Sequence, residues 1–258
     1  MIEYKNKEMS ILKEKIYTIP VNEAFDADCE CPFCVLAKKT DNDVLEYVLG
    51  PSYMEEDIRE ETDKVGFCKE HYYKMFYARN RLGVSLMLST HIKKMNKKIE
   101  SLLKEESQLG GKSGLFARKS ESPFAEFTKE LSHSCYACQR IEGRMNSYFD
   151  TFFHLWKTEE EFRNKVKNCK GFCLEHLSRI ICDGRKKLSS NRFSELMEVI
   201  TKIETENLSR IDSELDWFIK KFDYRFKDEP WGNSKDAPER AILKIASANM
   251  DDITQNSK

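Results

Sequence analysis

Two short strings hold most of the reactive side chains: Cys31-Pro32-Phe33-Cys34 and Gly66-Phe67-Cys68-Lys69-Glu70-His71. Both return further along, as Cys135-Tyr136-Ala137-Cys138 and Gly171-Phe172-Cys173-Leu174-Glu175-His176. The inner cysteine of each CxxC is followed, after 33 residues in one copy and 34 in the other, by the cysteine of a CxxH. Two cysteines three apart at a helix start can turn both sulfurs onto one ion, and the exposed helix amides favour the thiolate that a metal needs. A Cys and a His at i and i+3 share one helix face. Three thiolates and one imidazole suit tetrahedral zinc, and four protein ligands close the coordination sphere in the manner of a structural site.

The spacing within each copy predicts two such sites, each closed locally. The first takes Cys31, Cys34, Cys68 and His71; the second takes Cys135, Cys138, Cys173 and His176. An iron–sulfur cluster is the rival occupant, because thiolates with one imidazole also hold iron. A thiol redox pair at CxxC explains less, since no βαβ pattern surrounds it and the CxxH would have no role. Cys29, two residues before Cys31, could act as an auxiliary thiol, whereas Cys169 and Cys182 read as partly buried free thiols. Glu70 and Glu175, each before a ligand His, could tune the sites but read first as exposed helix residues.

The elements that must position these groups are helical. Gly (10) and Pro (6) are scarce, and alternating β-branched runs are missing, which points to an all-α protein. In the first copy a helix follows Cys34 and stops at Gly50-Pro51, and Ser52 to Glu55 reads as a capping box for a short helix. A CxxH helix then breaks near Gly83. A longer one follows, with Leu88, Ile92, Met95, Ile99 and Leu102 as an apolar seam. The second copy repeats this order. Thr158 to Glu161 is its capping box, Gly184 its break, and Phe193, Leu196, Ile200, Ile203, Ile211, Leu215, Phe218 and Phe222 its seam. Matched caps, breaks and seams predict an internal duplication into two similar multi-helix units, each with a long seam helix. The expected division is a lead segment at 1–28, metal-binding units at 29–106 and 124–228, a flexible linker at 107–123, and a tail at 229–258 with one short helix.

Bulk properties narrow the function. No stretch approaches the roughly 20 apolar residues of a membrane span. The start of the chain lacks a secretory apolar region, so the expected location is cytoplasmic. There, nine cysteines point to metal ligands or thiols rather than disulfides. A net charge of −1 argues against nucleic acid as a partner. Gly111-Lys112-Ser113-Gly114 resembles the end of a P-loop, but Glu106 stands where the required earlier Gly would be and a helix precedes it. Lys93, Lys94, Lys97 and Lys98 read as a solvated helix face. Arg79, Arg81, Arg140 and Arg144 could serve an anionic ligand in a pocket between the two units.

Several strings together resemble an uncharacterised family from anaerobic Gram-positive bacteria over nearly the whole chain. They are YTIPVNEAF, CPFC, YMEEDIREETDKVGFCKEH, FHLWKTEEEF, GFCLEH and FDYRFKDEPWGNSKDA. Members of that family often carry the label "ABC transporter substrate-binding protein". Such receptors are exported or lipid-anchored and two-lobed α/β, whereas this chain reads as helical and lacks an export signal. The resemblance implies no established reaction. The expected function is a cytosolic zinc-binding module with two Cys3His sites that binds or scaffolds a protein or small-molecule partner and can form a homodimer. The alternatives are an iron–sulfur or thiol-dependent redox enzyme and a small-molecule carrier.

Overall fold

The computed structural model describes residues 16–78, 80–109 and 122–248. Its elements are helices, with no strand among the described residues. We number the α-helices α1 (16–26), α2 (Pro32–Leu49), α3 (Glu56–Val65), α4 (Lys69–Tyr77), α5 (Arg81–Leu109), α6 (Pro123–His133), α7 (Tyr136–Thr158), α8 (Glu160–Asn168), α9 (Leu174–Lys187), α10 (Ser190–Lys220) and α11 (Ala237–Ala246). The all-α expectation holds. The two longest helices, α5 and α10, are the ones that carry the apolar seams. The expected linker and the P-loop-like string fall largely outside the described residues, as does Arg79.

Two compact units make up the chain, and they cut across the sequential division expected from the motifs. Unit 1 joins Met1–Lys39 to Arg144–Lys258, and unit 2 is Thr40–Gly143. Both boundaries fall inside long helices, α2 and α7, so each motif copy contributes to both units. The physical reason is helix length. The 18 residues of α2 extend about 27 Å, and the 10 residues of α3 can retrace only about 15 Å. In the second copy, the 23 residues of α7 extend about 35 Å and the 9 of α8 about 14 Å. In each copy the returning helix is therefore too short to retrace the outgoing one by itself.

In unit 1 the core is aromatic. Phe25, Phe33, Phe149, Phe152, Phe162 and Phe172 are buried together with Trp156. Phe33, between the two cysteines of its CxxC, stacks on Phe149 with ring centroids 4.0 Å apart. One face of α10 buries Leu196, Ile200, Ile203 and Ile211 of its seam, whereas Phe222, also expected in it, lies beyond the helix and is 77% exposed. In unit 2, Val44, Val48, Phe67, Met75, Val84, Met87 and Tyr136 are buried as one cluster, and α5 packs on α3 and α6. The α5 seam is less covered than its spacing predicts, because Ile92 remains 61% exposed while Leu102 is buried.

Local signals differ from expectation at the helix ends. Ser52 lies buried inside a short 3-10 turn (Pro51–Met54), and Glu55 rather than a capping box precedes α3. Thr158 spends its hydroxyl on the His154 carbonyl, so Glu159 precedes α8 without a side-chain cap. Gly83 and Gly184 are helical rather than breaks. Asn80 caps α5 by accepting from the Gly83 amide at 2.9 Å, and Ser189 caps α10.

Turns are marked by Gly50, where α2 ends as expected, and by the glycines of the two GFC strings. Gly66 and Gly171 have φ of +66° and +85°, where a side chain is strained. A Cβ on Gly171 would also stand 2.6 Å from the Glu204 carboxylate, which accepts the Phe172 amide at 2.6 Å. We expect Gly171→Ala to destabilise the protein by on the order of 1–3 kcal/mol in denaturant unfolding. Gly143→Ala, on α7 with open space around its Cβ position, should hold or raise the midpoint. Equal midpoints for the two variants would contradict this reading of the turn.

Candidate metal centres

Four helices begin one residue after a cysteine: α2 after Cys31, α4 after Cys68, α7 after Cys135 and α9 after Cys173. Cys68 and Cys173 are the N-cap residues of α4 and α9, in extended backbone. Each first sulfur therefore sits where the unsatisfied amides of a first turn favour negative charge. The second residue of each motif lies three positions on, within that first turn.

The side chains converge in two quartets, and the partners are exchanged relative to the local pairing expected from spacing. Cys31 and Cys34 meet Cys173 and His176 in unit 1, and Cys68 and His71 meet Cys135 and Cys138 in unit 2. The expected sets Cys31/Cys34/Cys68/His71 and Cys135/Cys138/Cys173/His176 are thus corrected: each CxxC closes on the CxxH of the other copy. The near-equal spacers are equally compatible with either arrangement, and the unequal helix lengths favour the exchanged one.

In both quartets the ring nitrogen facing the sulfurs is Nδ1. His176 Nδ1 lies 3.0 Å from Cys173 Sγ and 3.5 Å from those of Cys31 and Cys34, and Cys34 Sγ is 3.5 Å from Cys173 Sγ. His71 Nδ1 lies 3.1 Å from Cys68 Sγ and 3.4 Å from those of Cys135 and Cys138, with Cys68 and Cys138 sulfurs 3.8 Å apart. Aromatic residues pin the same cross-copy pairing. Phe172 packs on Phe33 at 6.0 Å and Phe67 on Tyr136 at 6.0 Å, and the Tyr136 amide donates to the Gly66 carbonyl at 2.9 Å.

Crowded thiols distort one another's acidity. In unit 1, hydrogen bonds from Cys31 and Cys34 hold the Cys173 thiol far below its ordinary range. Contact with Cys173 and then Cys31 pushes Cys34 far above it. Burial and contact with Cys173 push Cys31 up to about 12. In unit 2, burial opposes ionisation of Cys135, yet the His71 imidazole beside it brings the thiol down to about 6. Burial and Cys135 raise Cys138. Burial would depress His71, but the Asp41 carboxylate, with the Cys135 and Cys68 sulfurs, holds it at about 10. Cys173 and Cys135 thus take the charge while Cys31, Cys34 and Cys138 keep their protons, as expected for anions forced together without a compensating cation.

The outer contacts differ between the quartets. Asp41 Oδ1 is 2.9 Å from His71 Nε2, and its other oxygen pairs with Lys74 Nζ at 2.5 Å. This fixes which nitrogen faces the sulfurs. No sequence signal marks Asp41, which comes from α2 and is distant in the chain from His71. His176 instead lies between rings, 5.7 Å from Phe33 and 6.0 Å from Phe149, and Arg179 covers Phe149 at 4.1 Å. Glu70 and Glu175 are exposed.

The remaining candidates lie elsewhere. Cys29 is half-buried with its thiol on the Ala24 carbonyl at 3.8 Å, and burial raises its pKa, the opposite of an activated thiol. Cys169 is pushed up to about 11 by burial, and Cys182 is exposed. Arg81 covers the Phe76 ring at 4.5 Å, Arg140 pairs with Glu61 at 3.1 Å, and Arg144 is half-buried on α7.

Fold and site define an all-α protein with two Cys3His clusters able to hold metal ions. The chain belongs to a family of unknown function, DUF6062, whose model matches residues 12–252. No curated protein and no solved structure matches it.

Exchanged pairing has a stoichiometric signature. Cys34→Ser combined with His176→Gln damages one quartet, whereas Cys34→Ser combined with His71→Gln damages both. We expect the first double variant to retain one tightly bound metal ion per chain and the second to retain none, by elemental analysis after dialysis. The reverse result would restore the local pairing.

Proposed function

We propose that the chain is a zinc-binding helical scaffold of a reducing compartment such as the cytoplasm, with one structural zinc ion in each Cys3His quartet. The observation that carries this reading is the spacing of the donor atoms. The four ligand atoms of each quartet lie within 4.8 Å of one another. A tetrahedral zinc ion with Zn–S bonds of about 2.3 Å sets its sulfurs about 3.8 Å apart. The sulfur separations of 3.5 and 3.8 Å fit a single ion of that size. A multi-iron cluster places irons and sulfides between its cysteines and needs them farther apart, which disfavours the iron–sulfur enzyme. With three thiolates and an imidazole supplied by the protein, the coordination sphere is closed, which supports a structural role. Zinc would tie the N-termini of α2 and α9 together in unit 1, and those of α4 and α7 in unit 2.

A specific observation also supports a small-molecule reading, with the site inside unit 2 instead of the expected pocket between units. A groove of about 530 Å³ in unit 2 is lined by Phe67, Tyr72, Leu88, Ile92, Met95 and Ile99, with His91, Lys93 and Asn96 among its polar residues. Its volume is within the range of ligand sites.

Purified under reducing conditions, the protein is expected to be colourless with two zinc ions per chain. Brown colour with visible absorption and iron in place of zinc would contradict the proposal. Zinc uptake is also expected to release protons. Cys31, Cys34, Cys138 and His71 all hold protons above neutral pH in the metal-free state. At least four protons should therefore leave as both sites fill near neutral pH, read with a pH indicator during titration. Because raised pKa values mean stronger competition from protons, apparent zinc affinity should fall as pH falls. Affinity independent of pH would contradict thiol and imidazole ligation.

A further inference from the structure

Ser247 ends α11 with φ 56° and ψ 14°, in left-handed backbone, and no other non-glycine among the described residues has a positive φ. Its amide closes the last turn on the Leu243 carbonyl at 2.9 Å. Glycine or asparagine usually takes such an end position, because a Cβ is strained there. Strain of this kind persists where surrounding contacts impose it, and it gathers at functional sites. Here the conformation places the Ser247 hydroxyl 3.1 Å from Cys173 Sγ, donating to a ligand sulfur.

The contacts that fix α11, which Ser247 ends, are buried and charged. Lys244, 2% exposed, donates from Nζ to the Lys170 carbonyl at 2.5 Å and lies 4.0 Å from Glu204 and 3.9 Å from Glu30. Glu204 in turn accepts from the Phe172 amide. Arg240 pairs with Glu214 and Asp236 and lies 3.6 Å from Glu30, which Arg210 also grips at 2.7 Å. Glu30 precedes Cys31, and Lys170 lies three residues before Cys173. Thus α11 is fastened to the chain on both sides of the unit 1 quartet, and its last residue reaches a sulfur. An arrangement with this many desolvated charges is costly to disturb.

We infer that Ser247 is a positioning residue for the unit 1 metal centre: its O–H···S bond to Cys173 holds that ligand and slows loss of the metal. The inference rests on the zinc-site reading above. A hydrogen bond to a ligating thiolate withdraws charge from the sulfur and fixes its direction, and partners of this kind typically change metal affinity 10–100-fold when removed. The unit 2 quartet is steadied through its imidazole, by Asp41, so the two centres respond to different residues.

The test is Ser247→Gly in the full chain loaded with cadmium. Glycine removes the hydroxyl and relieves the strained backbone together, so thermal stability should hold or rise. Cadmium NMR should show two resonances. We expect Ser247→Gly to shift one of them and speed the loss of that ion to a chelator by about tenfold, with the other unchanged. We expect Asp41→Asn to shift only the other resonance. Two resonances that both ignore Ser247→Gly, or that move equally, would overturn the inference alone. Absence of cadmium resonances in the wild-type chain would overturn the metal-site reading and this inference with it.

Discussion

Thiolates held less than 4 Å apart repel one another strongly once water is excluded, and this constraint organises both halves of the molecule. Each quartet brings three sulfurs and an imidazole nitrogen within 4.8 Å, partly buried, at the first turns of helices. Helix amides offset part of that charge, and the rest falls on protons shared among the sulfurs or on a cation. A divalent ion would resolve the conflict and convert repulsion into a cross-link between chain segments 139 residues apart in unit 1 and 67 apart in unit 2. Most of the local structure serves to bring those segments together.

The exchange of partners between motif copies has a topological consequence. A locally closed Cys3His site would staple a short loop, whereas each of these quartets joins a helix start from one copy to a helix start from the other. In unit 1 residues 16–39 and 144–248 belong to one body, with Phe33 stacked on Phe149 and Glu30 gripped by Arg210. In unit 2, the Gly66 turn is bonded to the start of α7, and Asp41 of α2 orients His71. Cross-links between distant segments remove more chain entropy from the unfolded state than local ones do. A metal ion held in each quartet would thereby be coupled to assembly of each unit.

Much of this was legible in the residues. Helical class, the seams of α5 and α10 and the eight side chains of the quartets follow from composition, 3.6-residue periodicity and the repeated CxxC and CxxH. Which CxxC meets which CxxH does not follow from spacing, because 33 and 34 residues fit either pairing. The lengths of α2 against α3, and of α7 against α8, favour the exchanged pairing, and the converged side chains show it. Asp41 carried no signal, because a carboxylate within a charged helix looks like any solvated residue until tertiary packing sets it on His71. Ser247 was equally silent, since its role depends on a left-handed backbone that serine does not advertise. The misread breaks at Gly83 and Gly184 share one cause. Asn80 and Ser189 supply stronger start signals nearby, and at Gly184 the missing Cβ leaves room for the Phe193 ring, which a Cβ would meet at 3.2 Å.

Anomalous diffraction at the zinc absorption edge, from crystals of the protein purified with its native metal, tests the central claim most directly. The expected result is two peaks per chain. One should be enclosed by Cys31, Cys34, Cys173 and His176 Nδ1, the other by Cys68, Cys135, Cys138 and His71 Nδ1. Peaks enclosed by the ligands of a single motif copy, or no peak at either quartet, would contradict it.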